Sequence, residues 1–333
     1  MEALKFSILM PAYNGADFIA QTLNSILSQG FTDYEIVIID DHSSDGTSDV
    51  VNSFKDGRIR FYKNSANLGY PANLRECSRR ADGDIIYLMG QDDILGKDAL
   101  ADTFRAFNLS PDIGAVTRPY YWFDAAIDKP VRAKKQLSPV RDEIVSIDDD
   151  VQRVIAVYHT LDQLSGLALR KKYIDADFHQ DIFPCHAYPF ASIFKKHSVV
   201  FLKDYNIAVR IRSSQCRNLS SIYDKSPLQS WVDMFNSVFS EERYKNIKKY
   251  CIKNFAAVNY VGLVQIRNYA RYRYLWREIM LLIKYRWQNI FSPQFWFFSL
   301  GTIIMPPALL IPLVDWFKNR VNSKRFAHIK LKV

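Results

Sequence analysis

The first ninety or so residues alternate between two hydrophobic periodicities, and this alternation constrains the fold more than any other feature of the chain. Apolar β-branched runs typical of strands take turns with segments whose apolar residues recur every three or four positions, the spacing of an amphipathic helix. Strands are predicted over 5–13, 34–41, 58–64 and 83–93, and helices over 15–29, 43–54 and 70–81. The short connections predict an α/β fold with a Rossmann-like, mostly parallel central sheet and flanking helices.

Polar clusters follow three of the predicted strands. They are PAYNG at 11–15, DDHSSDG at 40–46 and GQDD at 90–93. In parallel sheets of this kind, ligands bind in a crevice beyond the carboxyl ends of the strands. The three clusters are therefore predicted to line one ligand crevice.

Two adjacent carboxylates, Asp92 and Asp93, close the third cluster. In a purely structural interpretation, one aspartate caps the following helix and the other is solvated. In a functional interpretation, the two carboxylates offer hard oxygen ligands to Mg²⁺ or Mn²⁺, which would also bind phosphate oxygens. Such a cation neutralises a departing diphosphate. The dipeptide alone leaves both interpretations open.

The pattern changes twice further along the chain. Between 113 and 225 it is less regular, and after Ser226 and Pro227, a predicted N-cap and first helical residue, it is helical to the end. We therefore predict a domain over 1–225 with two halves, 1–112 and 113–225. A helical C-terminal region is predicted over 226–333.

Cysteine usage and the N-terminus predict a cytoplasmic location. The cysteines are scattered without C-x-x-C spacing, which disfavours a zinc site and a disulfide scaffold and fits a reducing compartment; they are Cys77, Cys185, Cys216 and Cys251. The first residues lack the basic segment and long apolar stretch of a signal peptide.

Positive charge is concentrated in the C-terminal region. Residues 241–333 hold 17 Lys and Arg against 4 Asp and Glu, a net charge of +13, whereas the whole chain carries +9. Residues 267–288 mix these cations with aromatic and aliphatic side chains, which favours the surface of an anionic membrane over nucleic acid. The alternative is a helix whose aromatic face packs on protein while its basic face is solvated.

An uncharged run of 28 residues, 287–314, follows. Its length would allow a membrane span, but four prolines interrupt any single helix. Basic residues flank both sides, so we predict two short helices lying in one leaflet. A span, a buried helix and a dimer contact stay open as alternatives.

Two segments resemble the family 2 glycosyltransferases with the GT-A fold. SILMPAYNGADFIAQTLNSILSQGFTDYEIVIIDDHSSDGT at 7–47 and NLGYPANLRECSRRADGDIIYLMGQDD at 67–93 follow the two opening blocks of that family, and the second ends on its D-x-D-type motif. The resemblance covers about residues 4 to 215, and it implies that 1–112 is the nucleotide-sugar-binding half and 113–225 the acceptor-side half. It implies the GT-A fold, a nucleoside diphosphate sugar donor, Mn²⁺ or Mg²⁺ as cofactor and inverting transfer.

The resemblance also implies roles for individual residues. Contacts with the nucleobase and ribose fall on Pro11, Ala12, Tyr13 and Asn14, and the hydrogen bond to the base falls on Asp41. Positions near the nucleotide and donor sugar are Asn67, Gly69, Asn73 and Asp92, with Asp93 as the metal ligand. Asn67 and Gly69 could equally form an ordinary turn.

For the general base the sequence departs from the family, because the family's Glu-Asp pair falls on Cys185-His186 here. Either His186 is the base, or Asp181 supplies a carboxylate through a shifted alignment; His186 could also only line the pocket. Arg210 and Arg212, expected to alternate on one strand, could grip the diphosphate, or Arg212 could be an ordinary surface residue.

The resemblance implies transfer of a single sugar, because the Q-x-x-R-W motif of processive members is absent; IKYRW at 283–287 has Ile283 in place of Gln. It implies a UDP- or dTDP-type donor and an acceptor hydroxyl on a lipid-linked glycan in surface polysaccharide synthesis. The expected location is peripheral, on the inner face of the cell membrane. A catalytically inactive sugar-nucleotide-binding protein is the first alternative. A nucleotidyltransferase is the second, disfavoured because PAYNGAD lacks a basic Gly-rich loop.

Overall fold

The computed structural model describes residues 2–213 and 220–332. The chain forms two compact units, one over 1–210 that also includes the C-terminal residues from Phe326, and one over 211–325. The sequence predicts a division at 225/226 and assigns the C-terminus to the helical region. The compact units differ from that prediction at both points.

The first unit is built on an eight-stranded sheet. Its strands are β1 (Phe6–Ala12), β2 (Tyr34–Asp40), β3 (Ile59–Lys63), β4 (Ile85–Leu88), β6 (Ile113–Thr117), β9 (Glu143–Val145), β10 (Ala168–Arg170) and β11 (Ser198–Phe201). They are arranged in the order β3-β2-β1-β4-β10-β6-β11-β9. β1 to β4 are mutually parallel, and β10 is inserted antiparallel between β4 and β6. The predicted α/β fold with a mostly parallel sheet is confirmed.

Helices connect the strands of the first unit. They are α1 (Ile19–Leu27), α2 (Thr47–Ser53), α3 (Tyr70–Arg79), α4 (Ala99–Phe107), α5 (Val151–Tyr158) and α6 (Ala187–Phe194). Every residue of β2 is buried, as expected for an apolar strand covered on both faces. The strand predicted over 83–93 is shorter than expected, because it ends at Leu88 and residues 89–93 form a loop beyond the sheet.

A smaller sheet packs beside this loop. It contains β5 (Ile94–Leu95), β7 (Tyr121–Phe123), β8 (Pro130–Ala133) and β12 (Ile207–Arg210) in the order β5-β12-β7-β8. Two residues from the C-terminus of the chain, Ile329 and Leu331, are buried against it in a cluster with Tyr121 and Phe123. Lys97 also donates its N–H to the Lys332 carbonyl at 2.5 Å. The last residues of the chain therefore complete the core of the first unit.

The second unit is helical. Its main helices are α7 (Pro227–Val238), α8 (Lys245–Val258), α9 (Gly262–Tyr269), α10 (Tyr272–Tyr285), α11 (Pro293–Ile304) and α12 (Pro307–Trp316). The predicted cap of α7 is confirmed, since the Ser226 hydroxyl accepts the Gln229 N–H at 3.0 Å. That hydroxyl donates to the buried Glu278 carboxylate at 2.5 Å, whose pKa is raised by burial. Cys77, Cys185 and Cys251 are free and buried; Cys216 lies outside the described residues.

We expect Leu331→Ala to lower the free energy of unfolding of the first unit by about 2 kcal/mol, because it leaves a cavity beside Tyr121 and Phe123. Hydrogen exchange followed by mass spectrometry measures this as faster exchange in peptides covering β5 and β12. Ile304→Ala is the control, since Ile304 is 77% exposed. Unchanged exchange in Leu331→Ala would contradict the docking of the C-terminus.

Candidate active site

The carboxyl ends of β1, β2 and β4 lie at one edge of the main sheet, because β1 pairs in parallel with both neighbours. Gln91, after β4, reaches the loop after β1: its Nε2 donates to the Tyr13 carbonyl at 2.9 Å and its Oε1 accepts the Tyr13 N–H at 3.0 Å. The Asn14 N–H donates to the Ser43 hydroxyl, after β2, at 2.8 Å. The three polar clusters predicted from the sequence therefore meet.

The loop after β1 exposes two of the four side chains predicted to contact the nucleotide. Ala12 is buried and Pro11 is half-buried, whereas Tyr13 and Asn14 are exposed. Asn14 has a positive φ of 47°, and its Oδ1 accepts the Ser44 N–H at 3.0 Å. The loop conformation is therefore set by its hydrogen bonds to the loop after β2. Nucleotide contact by these four residues stays a prediction.

Asp41 is buried and holds the segment that contains Asn67 and Gly69. Its carboxylate accepts the N–H groups of Leu68 and Gly69 at 2.8 and 2.9 Å, and the Asn64 amide at 2.9 Å. Gly69 has a φ of 82°, a conformation that glycine adopts without strain. With three donors already bound, Asp41 positions this segment. Its predicted contact with a base is not tested by the structure.

Asn73 is also engaged within the protein. Its side chain is 1% exposed and its Nδ2 donates to the Ile39 carbonyl at 2.9 Å, which fastens α3 to β2. Asn67 is exposed, and its Oδ1 accepts the Gly69 N–H at 3.0 Å. Of the predicted residues in this segment, Asn67 and Gly69 are the accessible ones.

Asp92 and Asp93 differ sharply in environment. Asp93 is 4% exposed, and both its oxygens accept hydrogen bonds, from the Ser165 hydroxyl at 2.5 Å and from the Arg210 N–H at 2.9 Å. Burial, and then the neighbouring Asp92 charge, raise the pKa of Asp93. Asp92 is only half-buried. A Cβ on Gly90 would lie 3.0 Å from Asp93 Oδ2 and 3.1 Å from Asp92 Oδ1, so glycine makes room for both carboxylates.

Arg210, the last residue of β12, forms hydrogen bonds with both Asp92 and Asp93. Its Nε donates to the Asp92 carbonyl at 3.1 Å and its Nη2 donates to Gln21 Oε1 at 2.5 Å. The guanidinium also lies over the rings of Phe18 and Phe123, 5.0 and 4.7 Å from their centroids. Burial lowers the pKa of Arg210.

The predicted alternation of Arg210 and Arg212 on one strand is wrong, because β12 ends at Arg210. Arg212 is exposed and belongs to the second unit. A diphosphate contact for either arginine stays a prediction.

The candidate bases lie before α6. His186 is buried directly before the first residue of the helix, and its Nε2 is 2.8 Å from the Leu161 carbonyl. Nε2 must therefore carry the proton, and Nδ1 is left buried without a partner among the described residues. Burial lowers the pKa of His186 to about 4, so the ring is neutral near pH 7. Asp181 is half-buried, and its Oδ2 lies 3.5 Å from the Nδ1 of His179.

The sequence analysis missed the segment 161–165, which contacts two of the predicted site residues. The Leu161 carbonyl contacts His186, and the Ser165 hydroxyl contacts Asp93. Asp162, in the same segment, pairs with the Lys134 ammonium at 2.7 Å and accepts the hydroxyl of Tyr120. Because β10 runs antiparallel to β4, the residues before it lie at the carboxyl edge of the sheet. The polar HTLDQ run before a strand was the available signal. Its pairing partners are too distant in sequence to be inferred.

Carboxylate oxygens at this edge of the sheet can bind a divalent cation. Among residues 2–213 and 220–332, no group of three or more His, Cys, Asp or Glu side chains forms a complete metal site. Mg²⁺ and Mn²⁺ are often bound by one or two carboxylates together with substrate phosphates. The half-buried Asp92, facing the space that Gly90 leaves, fits that arrangement.

Comparison with known proteins agrees with this geometry. Residues 7–134 match the family model Glycosyl transferase family 2. The poly(ribitol-phosphate) beta-N-acetylglucosaminyltransferase TarP of Staphylococcus aureus (strain N315) is 36% identical over 108 residues, 30% of this chain and 32% of TarP. The abequosyltransferase RfbV of Salmonella typhimurium (strain LT2) is 30% identical over 182 residues, 51% of this chain and 54% of RfbV. The matches thus span about a third to about half of these relatives.

Solved structures share the fold over nearly the whole chain. The crystal structure of S. aureus TarS 1-349 in complex with UDP has a TM-score of 0.61 and 16% identity, and covers 97% of this chain and 90% of that chain. The mannosyltransferase PcManGT from Pyrobaculum calidifontis, in complex with GDP-Man and Mn²⁺, has a TM-score of 0.54 and 14% identity, with 99% and 84% covered. At these identities the likeness concerns the fold alone. Residues 7–134 are thus similar in sequence to glycosyl transferase family 2, and the chain shares the GT-A fold of these structures.

Proposed function

We propose that this protein is an inverting glycosyltransferase that moves one sugar from a UDP- or dTDP-type donor to an acceptor hydroxyl on a lipid-linked glycan, in surface polysaccharide synthesis. The observation that carries the proposal is the half-buried Asp92, at an edge where the loops after β1, β2 and β4 are fastened to one another. Loops held in this way are preorganised for a ligand. The UDP bound in TarS supports a uridine nucleotide, and the names of TarP and RfbV support a glycan acceptor.

The proposed cofactor is Mn²⁺ or Mg²⁺, held by Asp92. The resemblance favours Asp93 as the ligand, but both oxygens of Asp93 already accept hydrogen bonds from Ser165 and Arg210. Asp93 then positions the loop, and Asp92 provides the oxygen ligand. When bound, such a cation would neutralise charge on the leaving diphosphate. The Mn²⁺ in the PcManGT complex supports a divalent cation in this fold.

Asp92→Asn should remove the Mn²⁺-dependent part of donor affinity, a loss of about tenfold or more, because an amide is a far weaker ligand for a hard cation. Calorimetric titration of UDP-sugar with and without Mn²⁺ measures it. Asp93→Asn should instead lower thermal stability, since it disturbs the bonds to Ser165 and Arg210. If only Asp93→Asn loses the metal dependence, the ligand is Asp93, as the resemblance implies.

For the base, we propose His186 first. Its Nε2 is occupied by the Leu161 carbonyl, so the neutral ring keeps Nδ1 as a proton acceptor. Since Nδ1 is buried, the acceptor hydroxyl must reach it as the substrate binds. Asp181 stays the second candidate. Asp162 is a third, because it is a carboxylate on the 161–165 segment with 32% of its side chain exposed.

His186→Ala should lower kcat by about a hundredfold while donor affinity stays near normal, because a base acts on the acceptor and not on donor binding. Asp181→Asn and Asp162→Asn are measured beside it by UDP release in the presence of acceptor. Full activity of His186→Ala, with loss in one of the others, transfers the role to that residue. If the wild-type protein binds donor and never turns over, the inactive-binder alternative replaces the enzyme.

We also propose that the second unit binds the inner face of the cell membrane. None of the helices in the described parts of the chain is both long and apolar enough to cross a bilayer. Helices α11 and α12 nonetheless expose large apolar side chains, among them Trp296, Phe297, Leu300, Ile304, Leu309, Leu313 and Trp316. Exposed apolar patches of this kind mark interaction sites. Because residues 241–325 of this unit hold 15 Lys and Arg against 4 Asp and Glu, the complementary surface is an anionic bilayer.

High salt should release part of the protein from membranes and alkaline carbonate more, because salt screens the charges but leaves apolar insertion intact. Fractionation of the full chain measures it. Phe297→Ser with Ile304→Ser, at sites 74% and 77% exposed, should reduce the salt-resistant fraction. Retention until detergent is added would indicate a membrane span. Protein that never pellets with membranes would indicate an aromatic surface covered by protein.

A further inference from the structure

A cleft in the second unit collects three arginines at the start of α10. Its volume is about 470 Å³, and it is lined by Asp224, Arg271, Arg273, Tyr274 and Arg277. Arg271 is the N-cap residue of this 14-residue helix. None of these residues belongs to the site described above.

Tyr274 and Arg277 form the framework of the cleft. The guanidinium groups of Arg273 and Arg277 lie over the Tyr274 ring, 5.0 and 4.7 Å from its centroid. Arg277 donates to the carbonyls of Tyr223 and Asp224, both at 2.5 Å. The Tyr274 hydroxyl donates to the Asp224 carboxylate and accepts from Arg273 Nη2 at 3.1 Å. The ring and Arg277 are thus held in place before any ligand binds.

The side chains that line the cleft carry a net positive charge. Three arginines face one lining carboxylate, Asp224, and the Arg277 Nε is buried without a partner among the described residues. Arg271 and Arg273 are exposed, and no ion pair of either is found within the described parts of the chain. The N–H groups of the first helical turn add positive potential. Guanidinium groups match phosphate oxygens in geometry and charge.

Exposed apolar side chains lie beside the cleft on the same helix. Tyr272, Trp276 and Met280 recur every four residues on α10, which places them on one face next to the face of Arg273 and Arg277. Their side chains are 42%, 46% and 61% exposed. A ligand bound in the cleft therefore meets an apolar surface at its rim. The excess of two positive charges suits a group with more than one negative charge.

We propose that this cleft binds the headgroup of a membrane lipid whose phosphate is a monoester or a diphosphate. The proposal rests on the membrane-binding part of the proposed function and adds selectivity to it. A phosphodiester lipid carries one negative charge and offers fewer oxygens to the arginines. The cleft would therefore distinguish two membranes of equal surface charge.

The test uses the full chain and vesicles of three compositions: phosphatidylcholine alone, and phosphatidylcholine with phosphatidic acid or with phosphatidylglycerol at matched surface charge. We expect the wild type to bind the phosphatidic acid vesicles about fivefold or more tightly than the phosphatidylglycerol vesicles in flotation assays. Arg271→Gln with Arg273→Gln should reduce that ratio to about one. Both residues are exposed, and Arg277 is retained because it holds two carbonyls.

Lys249→Gln with Lys253→Gln is the matched control, because it removes the same charge from exposed positions of α8 outside the cleft. It should keep the preference for phosphatidic acid. Equal binding of the wild type to both charged vesicles overturns the proposal, as does a preference that survives in the arginine variant or is lost equally in both variants. If no vesicle is bound at all, the membrane proposal itself fails.

Discussion

The buried carboxylate of Asp93 is the contact on which the candidate site depends. Its two oxygens accept from Ser165 and from the backbone of Arg210, so one side chain joins the loop after β4, the segment before β10 and the end of β12. A carboxylate removed from water is costly unless its oxygens are hydrogen-bonded. The three segments are therefore held together by the hydrogen bonds that a buried carboxyl group requires. The neighbouring Asp92 is half-buried.

Most polar side chains at the carboxyl edge of the sheet bind one another. Gln91 holds the loop after β1, Asp41 holds the segment around Gly69, and Asn73 holds β2. Tyr13, Asn14 and Asn67 are exposed at this edge, and Asp92 is half-buried. Because these loops are already ordered, ligand binding costs little conformational entropy. This preorganisation suits the proposed donor, whose diphosphate would have to be held in one geometry while the acceptor attacks.

The second unit is notable for its surface and not for a network of buried polar groups. Its exposed surface combines large apolar side chains with excess positive charge, and the arginine cleft at the start of α10 lies beside the apolar face of the same helix. The proposed function, sugar transfer to a lipid-linked acceptor, would need both a rigid donor site and a surface that meets the bilayer. The C-terminal residues Ile329 and Leu331, which belong to the first unit, pack against the smaller sheet.

The sequence alone determined β1 to β4, α1 to α3 and the meeting of the three polar clusters, because each rests on a contiguous periodic run and on the parallel order that short connections impose. Tertiary structure alone decided the antiparallel insertion of β10, the return of the C-terminus and the end of β12 at Arg210. It also decided which aspartate is buried, since the partners of Asp93 lie 72 and 117 residues away. The spacing of apolar residues along the chain indicates which face of each helix or strand is apolar. It does not indicate which distant N–H and O–H groups will donate hydrogen bonds to a buried carboxyl group, because that depends on the tertiary structure.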